Sequence, residues 1–404
     1  MEKILIVGTG GREDALGWNL SQSREVDEVL HVSAGEEFPD ILKLIREERI
    51  CMTIIGSEEP LVGGIVDFLN FHGIDSVFGP TREMAKIEFD KFYSYDLMND
   101  LEIPQAHSVK CFSVSDIKEA IQKFEEPVLK YRWLKAGKGV RVYSSQEEAE
   151  SDLDFFVRDI GEEALVTERL YGPEFSVFVI ADSKNILPFE IAFQDHKRLY
   201  DQDKGSNTGG MGAYGPVPIA PRELVKQISE DIMLPVVRRI NYRGFLYAGM
   251  MLTNEGPKVI EFNARFGDPE CQSAMMLLED SLHTPLKLSL EGRVSEASLT
   301  FKEGASCCIV LASKGYLGEY EKGLLISGVE KAEKIEGIKI FPAGVRFEND
   351  GWYTNGGRVL GVTSYSKEGI AEAQKLAYEA VSKINIPGGF HYRKDIANKA
   401  INKK

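Results

Sequence analysis

Few residues in this 404-residue chain commit it to cysteine or histidine chemistry. The five cysteines (Cys51, Cys111, Cys271, Cys307 and Cys308) are scattered without CxxC spacing, which argues against a disulfide framework or a zinc site. Cys307 and Cys308 sit in an apolar run, where a thiol packs as a small hydrophobe. The six histidines are dispersed, so neither a His-based metal site nor a Ser-His-Asp array can be assembled. Neither GxxxxGKS nor GxxxxGKT occurs, which excludes a P-loop. No apolar run approaches the roughly 18–20 residues that span a bilayer. The start, Met1-Glu2-Lys3, leads straight into Ile4–Val7 without the apolar region and cleavage site of a signal peptide, so a cytoplasmic protein with no membrane partner is expected. Positive charge is also scarce. Against 63 Asp and Glu there are 48 Lys and Arg, a net charge of -15 that disfavours a nucleic-acid partner. Internal repeats and low-complexity segments are absent.

What is present is a globular composition, 43% hydrophobic and 27% charged, in a chain long enough for two to four domains. The first hundred residues alternate strand and helix signals. Ile4–Val7 reads as a strand buried on both faces, followed by a helix over Arg12–Gln22. Val29–Ser33, Thr53–Gly56 and Ser76–Phe78 read as further strands, separated by helices near Ile41–Arg49 and Leu61–His72. This predicts a doubly wound parallel sheet. A long helix from about Thr81 to Asp100 is expected to leave it and stop before Pro104. Residues from about 105 to 295 are mixed α+β, with a polar stretch over Asp195–Pro218 expected to be irregular. A smaller α+β region follows, with one helix at Lys367–Lys383.

Glycines mark the chemistry. Gly8-Thr9-Gly10-Gly11-Arg12-Glu13 lies between a strand and a helix, where backbone N–H groups can hold a phosphate; a purely structural tight turn is the alternative. A nicotinamide fingerprint is not met, because Glu13 replaces its third glycine and no acidic residue closes the second strand. Lys135-Ala136-Gly137-Lys138-Gly139 joins two strands, and such a turn can close over a triphosphate or be a solvated hairpin. Sharper is the segment VIEFNARFGDPE. Glu261 and Asn263 lie two apart on a strand and share a face, a donor pair suited to Mg²⁺ or Mn²⁺. Arg265 is expected to follow on that face and neutralise a transferring phosphoryl group. A third cluster runs from Gln194-Asp195-His196-Lys197-Arg198 to the glycine-dense Asn207–Tyr214, where His196 alone reads more readily as structural.

In their order, GTGGREDAL, GSEEPLVGGIVDFL, AGKGV, QDHKR, NTGGMGAYGP, LYAGMMLT, VIEFNARFGDPE, GGRVLGVT and HYRKDI resemble the phosphoribosylamine–glycine ligase family of the ATP-grasp superfamily over essentially the whole chain. The resemblance implies a Rossmann-like N-terminal domain over about 1–103 and an ATP-grasp domain over about 104–297, with a mobile lid at about 108–170. A small C-terminal α+β domain would cover about 298–404. It implies that ATP is bound by Lys91, Lys130, Lys135, Gly137, Lys138, Gly139, Glu168 and Glu174, with Mg²⁺ or Mn²⁺ on Glu261 and Asn263. It further implies catalytic roles for Arg265, Lys138 and Asp268. The phosphoribosyl substrate would lie on Gly8, Gly10, Gly11, Arg12, Glu13 and Glu58, and the acceptor site on Asp195, Lys197, Arg198, Asn207, Gly209 and Gly210. The implied reaction ligates glycine to 5-phosphoribosylamine with ATP through an acyl phosphate, in a monomer or weak dimer. The alternatives are an ATP-grasp ligase with another carboxylate or amine, and a catalytically weakened ATP-binding protein. The chain departs from the family at Asp14 (histidine there), at Ser57-Glu58-Glu59 (Pro-Glu-Ala), in a shortened stretch after His31, at Phe89-Asp90-Lys91 (small residues before the lysine) and at Tyr131-Arg132-Trp133-Leu134-Lys135 (Ala-Asp-Gly-Leu-Ala).

Overall fold

The computed structural model describes residues 1–135, 139–159, 161–348 and 351–401. Apolar Glu2–Val7 (β1) forms the buried centre of a parallel sheet. After the helix Gly11–Leu20 (α1), Val26–Val32 (β2) pairs with one edge of β1. Phe38–Glu48 (α2) leads to Met52–Ile55 (β3) on the other edge. Helices Glu58–Gly63 (α3) and Ile65–Phe71 (α4) precede Val77–Phe78 (β4), which closes the order β2-β1-β3-β4. The helix expected over Leu61–His72 is broken at Gly64, whose φ of 87° suits only a residue without Cβ.

The long helix expected at Thr81–Asp100 is likewise two, Arg82–Phe89 (α5) and Lys91–Asp100 (α6). Asp90 between them is extended, and its Oδ1 accepts the N–H groups of Phe92 at 3.0 Å and Tyr93 at 3.4 Å. A side chain that caps so well ends one helix by starting the next.

A second, antiparallel sheet runs β5-β8-β6-β7 from Ser108–Cys111 (β5), Val128–Tyr131 (β6), Val140–Val142 (β7) and Ala164–Thr167 (β8). Helices Val114–Ile121 (α7) and Gln146–Asp159 (α8) cover it through Ile117, Ile121, Leu153 and Phe156. Next come Glu174–Asp182 (β9) and Ile186–Pro188 (β10). The stretch expected to be irregular then folds into Gln194–Asp195 (β11), Arg198–Tyr200 (β12), Lys204–Asn207 (β13) and Gly212–Gly215 (β14). Its polarity hid these strands because they line a site rather than a core. Arg243–Thr253 (β15) and Gly256–Asn263 (β16) complete a third sheet, β10-β9-β15-β16.

Ala305–Ser313 (β17), buried throughout, is central to the last large sheet. On one side it pairs with β14 and on the other with Arg358–Ser366, which carries Ile338–Pro342; the helix Ile370–Val381 packs over them. Gln194–Asp195 and Gly212–Gly215 are thus hydrogen-bonded into a sheet of the C-terminal third, while β12 and β13 form a two-stranded sheet of their own. Burial pushes the Cys307 thiol up, and those of Cys111 and Cys308 to about 12, so these cysteines behave as core. Among the described residues no helix is long and apolar enough to cross a membrane.

Helix α1 wedges between its own sheet and the strand Ile338–Pro342. Asp14 on that helix is half-buried there, and burial pushes its carboxyl up to about 7 against the pull of Lys339, with Glu333 adding to the rise. The native state therefore keeps this proton longer than the unfolded chain, and stability falls as pH climbs from about 4 to about 7. Asp14→Asn is expected to raise stability above pH 7 by about 1–2 kcal/mol. The gain should vanish near pH 4, and thermal melts of both proteins across that range check it.

Candidate active site

Register places the acidic face. In the third sheet Ser176 lies opposite Gly249 and Gly249 opposite Glu261, while Tyr247 lies opposite Asn263 and Met251 opposite Glu174. Side-chain alternation therefore puts Glu174, Ser176, Tyr247, Gly249, Glu261 and Asn263 on one face. A Cβ on Gly249 would stand 3.3 Å from Glu261 Cγ and 3.2 Å from the Tyr247 ring, so glycine leaves the face open. Lys197 Nζ bridges Glu174 at 3.3 Å and Glu261 at 3.6 Å. From the second sheet, Lys130 Nζ donates to the Ile260 carbonyl at 3.3 Å. Burial raises the Glu261 carboxyl, but Lys197, Lys91, Lys130 and Arg265 outweigh it and hold the pKa below the usual range. Burial lowers Lys130 to about 8, with Lys91 and Lys197 adding to the fall. Three lysines thus gather about a strand face that carries Glu174 and Glu261, an arrangement able to hold an anion or a cation-bound anion.

Glu261 and Asn263 supply two hard oxygens from one strand face. That set fits Mg²⁺ or Mn²⁺, which keep several positions for water and phosphate oxygens. Among the described residues, the one close group of three His or carboxylate side chains is Glu2, Glu25 and His283, far from this face in the sequence and in a different contact network.

Arg265 does not follow on the face of Glu261. The strand ends at Asn263, and the guanidinium turns to Glu58 at 3.2 Å and Glu88 at 3.1 Å. Arg12 joins them, with Glu13 at 2.7 Å and Glu58 at 3.7 Å. Attraction to Arg265 and Arg12 overcomes burial and brings the Glu58 carboxyl down to about 2. Burial instead raises Glu88, whose Oε2 accepts the Ala264 N–H at 2.7 Å. Glu88 gave no signal in the sequence, since one glutamate on an amphipathic helix reads as solvated.

The glycine turn is shaped around Glu13. A Cβ on Gly8, Gly10 or Gly56 would come within 2.5, 2.7 or 2.4 Å of that side chain, and Gly8 has a φ of 134°. The Gly10 N–H donates to Glu13 Oε2 at 3.0 Å. So the carboxylate fills the concavity that the glycines open. Beside it lies the first turn of α1, where Gly11, Arg12 and Glu13 are buried and whose N–H groups no helix can pair internally.

The acceptor segment meets the C-terminal third at Asp268. Arg358 gives Asp268 Oδ2 a bond of 2.7 Å and its carbonyl one of 3.0 Å, and also bonds the Gly209 carbonyl. Gln272 donates to Asp268 Oδ1 at 2.9 Å. Gly210, at φ 104°, passes where a Cβ would strike Pro269 at 2.5 Å and Asp195 at 2.9 Å. Burial and neighbouring Glu270 raise the Asp195 carboxyl well above its ordinary value, and Ser176 donates to Glu270 at 2.9 Å. Arg198 folds back on its own hairpin to the Gly205 carbonyl at 2.7 Å, and Asn207 pairs with it across the hairpin. His196 is buried, and burial with Lys399 and Arg393 lowers it to about 3, a neutral structural ring. Arg358 sits in GGRVLGVT, a segment visible in the sequence; Glu270 closes the EFNARFGDPE run. Neither was singled out, because each needs its distant partner to have meaning.

Glu168 accepts the His107 N–H at 2.9 Å and faces Lys258 at 3.7 Å. These three line a concavity of about 450 Å³ with Tyr95 and Met98. Lys135 is exposed, and the Gly139 carbonyl accepts the Tyr131 N–H at 2.8 Å. Gly137 and Lys138 lie outside the described residues.

A parallel N-terminal sheet beside two antiparallel sheets that direct lysines at a Glu–Asn strand face defines an ATP-grasp protein. Biotin carboxylase of Campylobacter jejuni, solved as a β-γ-ATP complex, shares the fold with a TM-score of 0.73 at 14% identity, covering 97% of this chain and 93% of that one. The chain belongs to the phosphoribosylglycinamide synthetase family, whose N domain matches residues 2–88, ATP-grasp (A) domain 89–271 and C domain 306–399. The phosphoribosylamine–glycine ligase of Rhodopirellula baltica is 38% identical over 98% of both chains. The trifunctional purine biosynthetic protein adenosine-3 of Gallus gallus is 38% identical over 99% of this chain and 42% of its own. The crystal structure of the Thermotoga maritima phosphoribosylamine–glycine ligase superposes with a TM-score of 0.81 at 31% identity, covering 98% of this chain and 100% of that one.

Proposed function

We propose that the chain ligates glycine to 5-phosphoribosylamine, giving glycinamide ribonucleotide, ADP and phosphate in purine biosynthesis. The observation that carries this is the convergence of Lys91, Lys130 and Lys197 on Glu261, with the Asp195–Asp268–Arg358 loop alongside. A glycine carboxylate oxygen attacks the γ-phosphorus of ATP, the β–γ bridge bond breaks, and ADP leaves. The amine nitrogen then attacks the acyl carbon, phosphate departs, and one proton is released. Lys91 and Lys130 hold the nucleotide phosphates, aided by Lys135, Gly137, Lys138 and Gly139; Glu174 takes the ribose and Glu168 orders the adenine end. When bound on Glu261 and Asn263, Mg²⁺ or Mn²⁺ supplies charge neutralisation to the phosphoryl group. Asp195, Lys197, Asn207, Gly209, Gly210 and Asp268 shape the acceptor pocket, and Arg265 sets the charge between it and Glu58. The reading fits a cytoplasmic enzyme of small molecules, monomeric or weakly dimeric.

The deciding experiment is ADP release with ATP and Mg²⁺, adding glycine and freshly generated 5-phosphoribosylamine separately and together. Turnover that needs both supports the reading, and turnover with neither pair member required overturns it. One observation favours a second reading, a different amine: Glu13 fills the glycine concavity that a phosphoribosyl group would share. Gly10→Val, which pushes on the Glu13 carboxylate, is expected to raise KM for phosphoribosylamine about tenfold and leave KM for ATP unchanged. An equal rise in both constants would remove the glycine turn from the substrate site.

A further inference from the structure

Apart from Lys135, the segment Tyr131–Lys135, where the chain departs from its family, has no role in the chemistry above. We propose that Arg132 is a positioning residue of the nucleotide site, tying the β5-β8-β6-β7 sheet to the junction of α5 and α6 and so setting Lys91 against the strand that carries Lys130. The inference rests on the proposed function only in taking ATP as the nucleotide.

Arg132 directly follows β6, two residues after Lys130. Its guanidinium forks Asp90, Nε to Oδ1 at 2.9 Å and Nη2 to Oδ2 at 2.7 Å, and its third nitrogen reaches Glu163 at 3.1 Å. The other Glu163 oxygen accepts the Trp133 indole N–H at 3.0 Å. The guanidinium carbon lies 4.1 Å from the centre of the Trp133 ring and 4.8 Å from that of Phe92, within the range of cation–π attraction. Main chain reinforces side chain. The Lys91 N–H donates to the Arg132 carbonyl at 2.9 Å, the Arg132 N–H to the Glu163 carbonyl at 3.0 Å, and Asp90 bridges Trp133 as an isolated antiparallel pair.

Asp90 is the pivot. The same carboxylate caps α6, whose first residue is Lys91, and receives the fork from the opposite side. Its side chain is only 10% exposed and that of Arg132 22%, so the pair is shielded from most of the screening that makes surface pairs weak. A planar fork between two aromatic rings suits arginine alone, because lysine offers a point charge without that geometry. Lys91 and Lys130 both act on Glu261, and the tie joins the elements that carry them.

Arg132→Met, Asp90→Asn and the double variant test this on the full chain. Asparagine keeps a cap acceptor for α6 while removing the charge. Binding of a non-hydrolysable ATP analogue with Mg²⁺ is read by calorimetry, alongside KM for ATP and glycine and a thermal melt. Each single variant is expected to weaken nucleotide binding about tenfold, with the double no worse than either single. KM for glycine should stay within about twofold, and Arg132→Lys should not restore binding. Wild-type nucleotide affinity in Arg132→Met, or additive losses in the double variant, would overturn the proposal. Nucleotide binding is scored without ligation, so a parent that binds ATP yet ignores glycine and phosphoribosylamine would fail the functional reading and leave this one standing.

Discussion

Glu261→Gln is expected to lower metal-dependent ATP turnover by at least two orders of magnitude while the protein stays folded. Glutamine keeps the volume and loses the carboxylate on which Lys91, Lys130 and Lys197 all act. Two effects add. The hard anionic ligand is gone, and the lysines repel one another across the face where triphosphate must sit. Removing a single electrostatic stabiliser of a transferring group costs about 10²–10³ in rate. The strand itself keeps its ladder to β15, so the melting midpoint should move little. ADP release measured over a range of Mg²⁺ concentrations, with a melt in parallel, checks both halves. Near-normal turnover would sink the metal assignment.

The second large effect is one of stability. Arg265→Met leaves Glu88, with a side chain 4% exposed, and Glu58 without their shared counter-charge. Breaking a buried pair from one side costs about 3–5 kcal/mol. Chemical denaturation at pH 7 is expected to show a loss of that size, and one under about 1 kcal/mol would mean that Arg12 alone compensates. The pH dependence has a definite sign. Glu58 is lowered in the folded state, so its contribution is present above its ordinary value of 4.5 and disappears as pH falls toward about 2. Glu88 is raised and opposes it. The deficit of the variant should therefore be full at neutral pH and shrink on acidification.

Local pattern carried much of this architecture. The apolar run Ile4–Val7 and the spacing of the next strands announce a parallel sheet, and period two alone puts Glu261 and Asn263 on one strand face. The misreadings share a cause: each depends on a partner remote in sequence. Thr81–Asp100 has helical pattern throughout, and only Arg132 and the capping bonds make Asp90 a break. Arg265 reads as a continuation of the Glu261 face until Glu58 and Glu88, some two hundred residues earlier, arrive beside it. Gly8 and Gly10 read in the sequence as room for a phosphate or as a tight turn, and no local pattern says that the group closest to them is the chain's own Glu13. The strands within 194–215 were hidden by their polarity, and one of them, β14, finds its second partner only in β17, about a hundred residues later.

That pairing of β14 with β17, Ala213 opposite Cys308, imposes an order on synthesis. Everything the nucleotide cleft needs, from Lys91 to Asn263, has left the ribosome before β17 is made. The acceptor segment at that stage is an unpaired strand edge, and Asp268 still lacks Arg358. A nascent chain can therefore assemble the strand face of Glu261 and Asn263 before Arg358 arrives to fix Asp268.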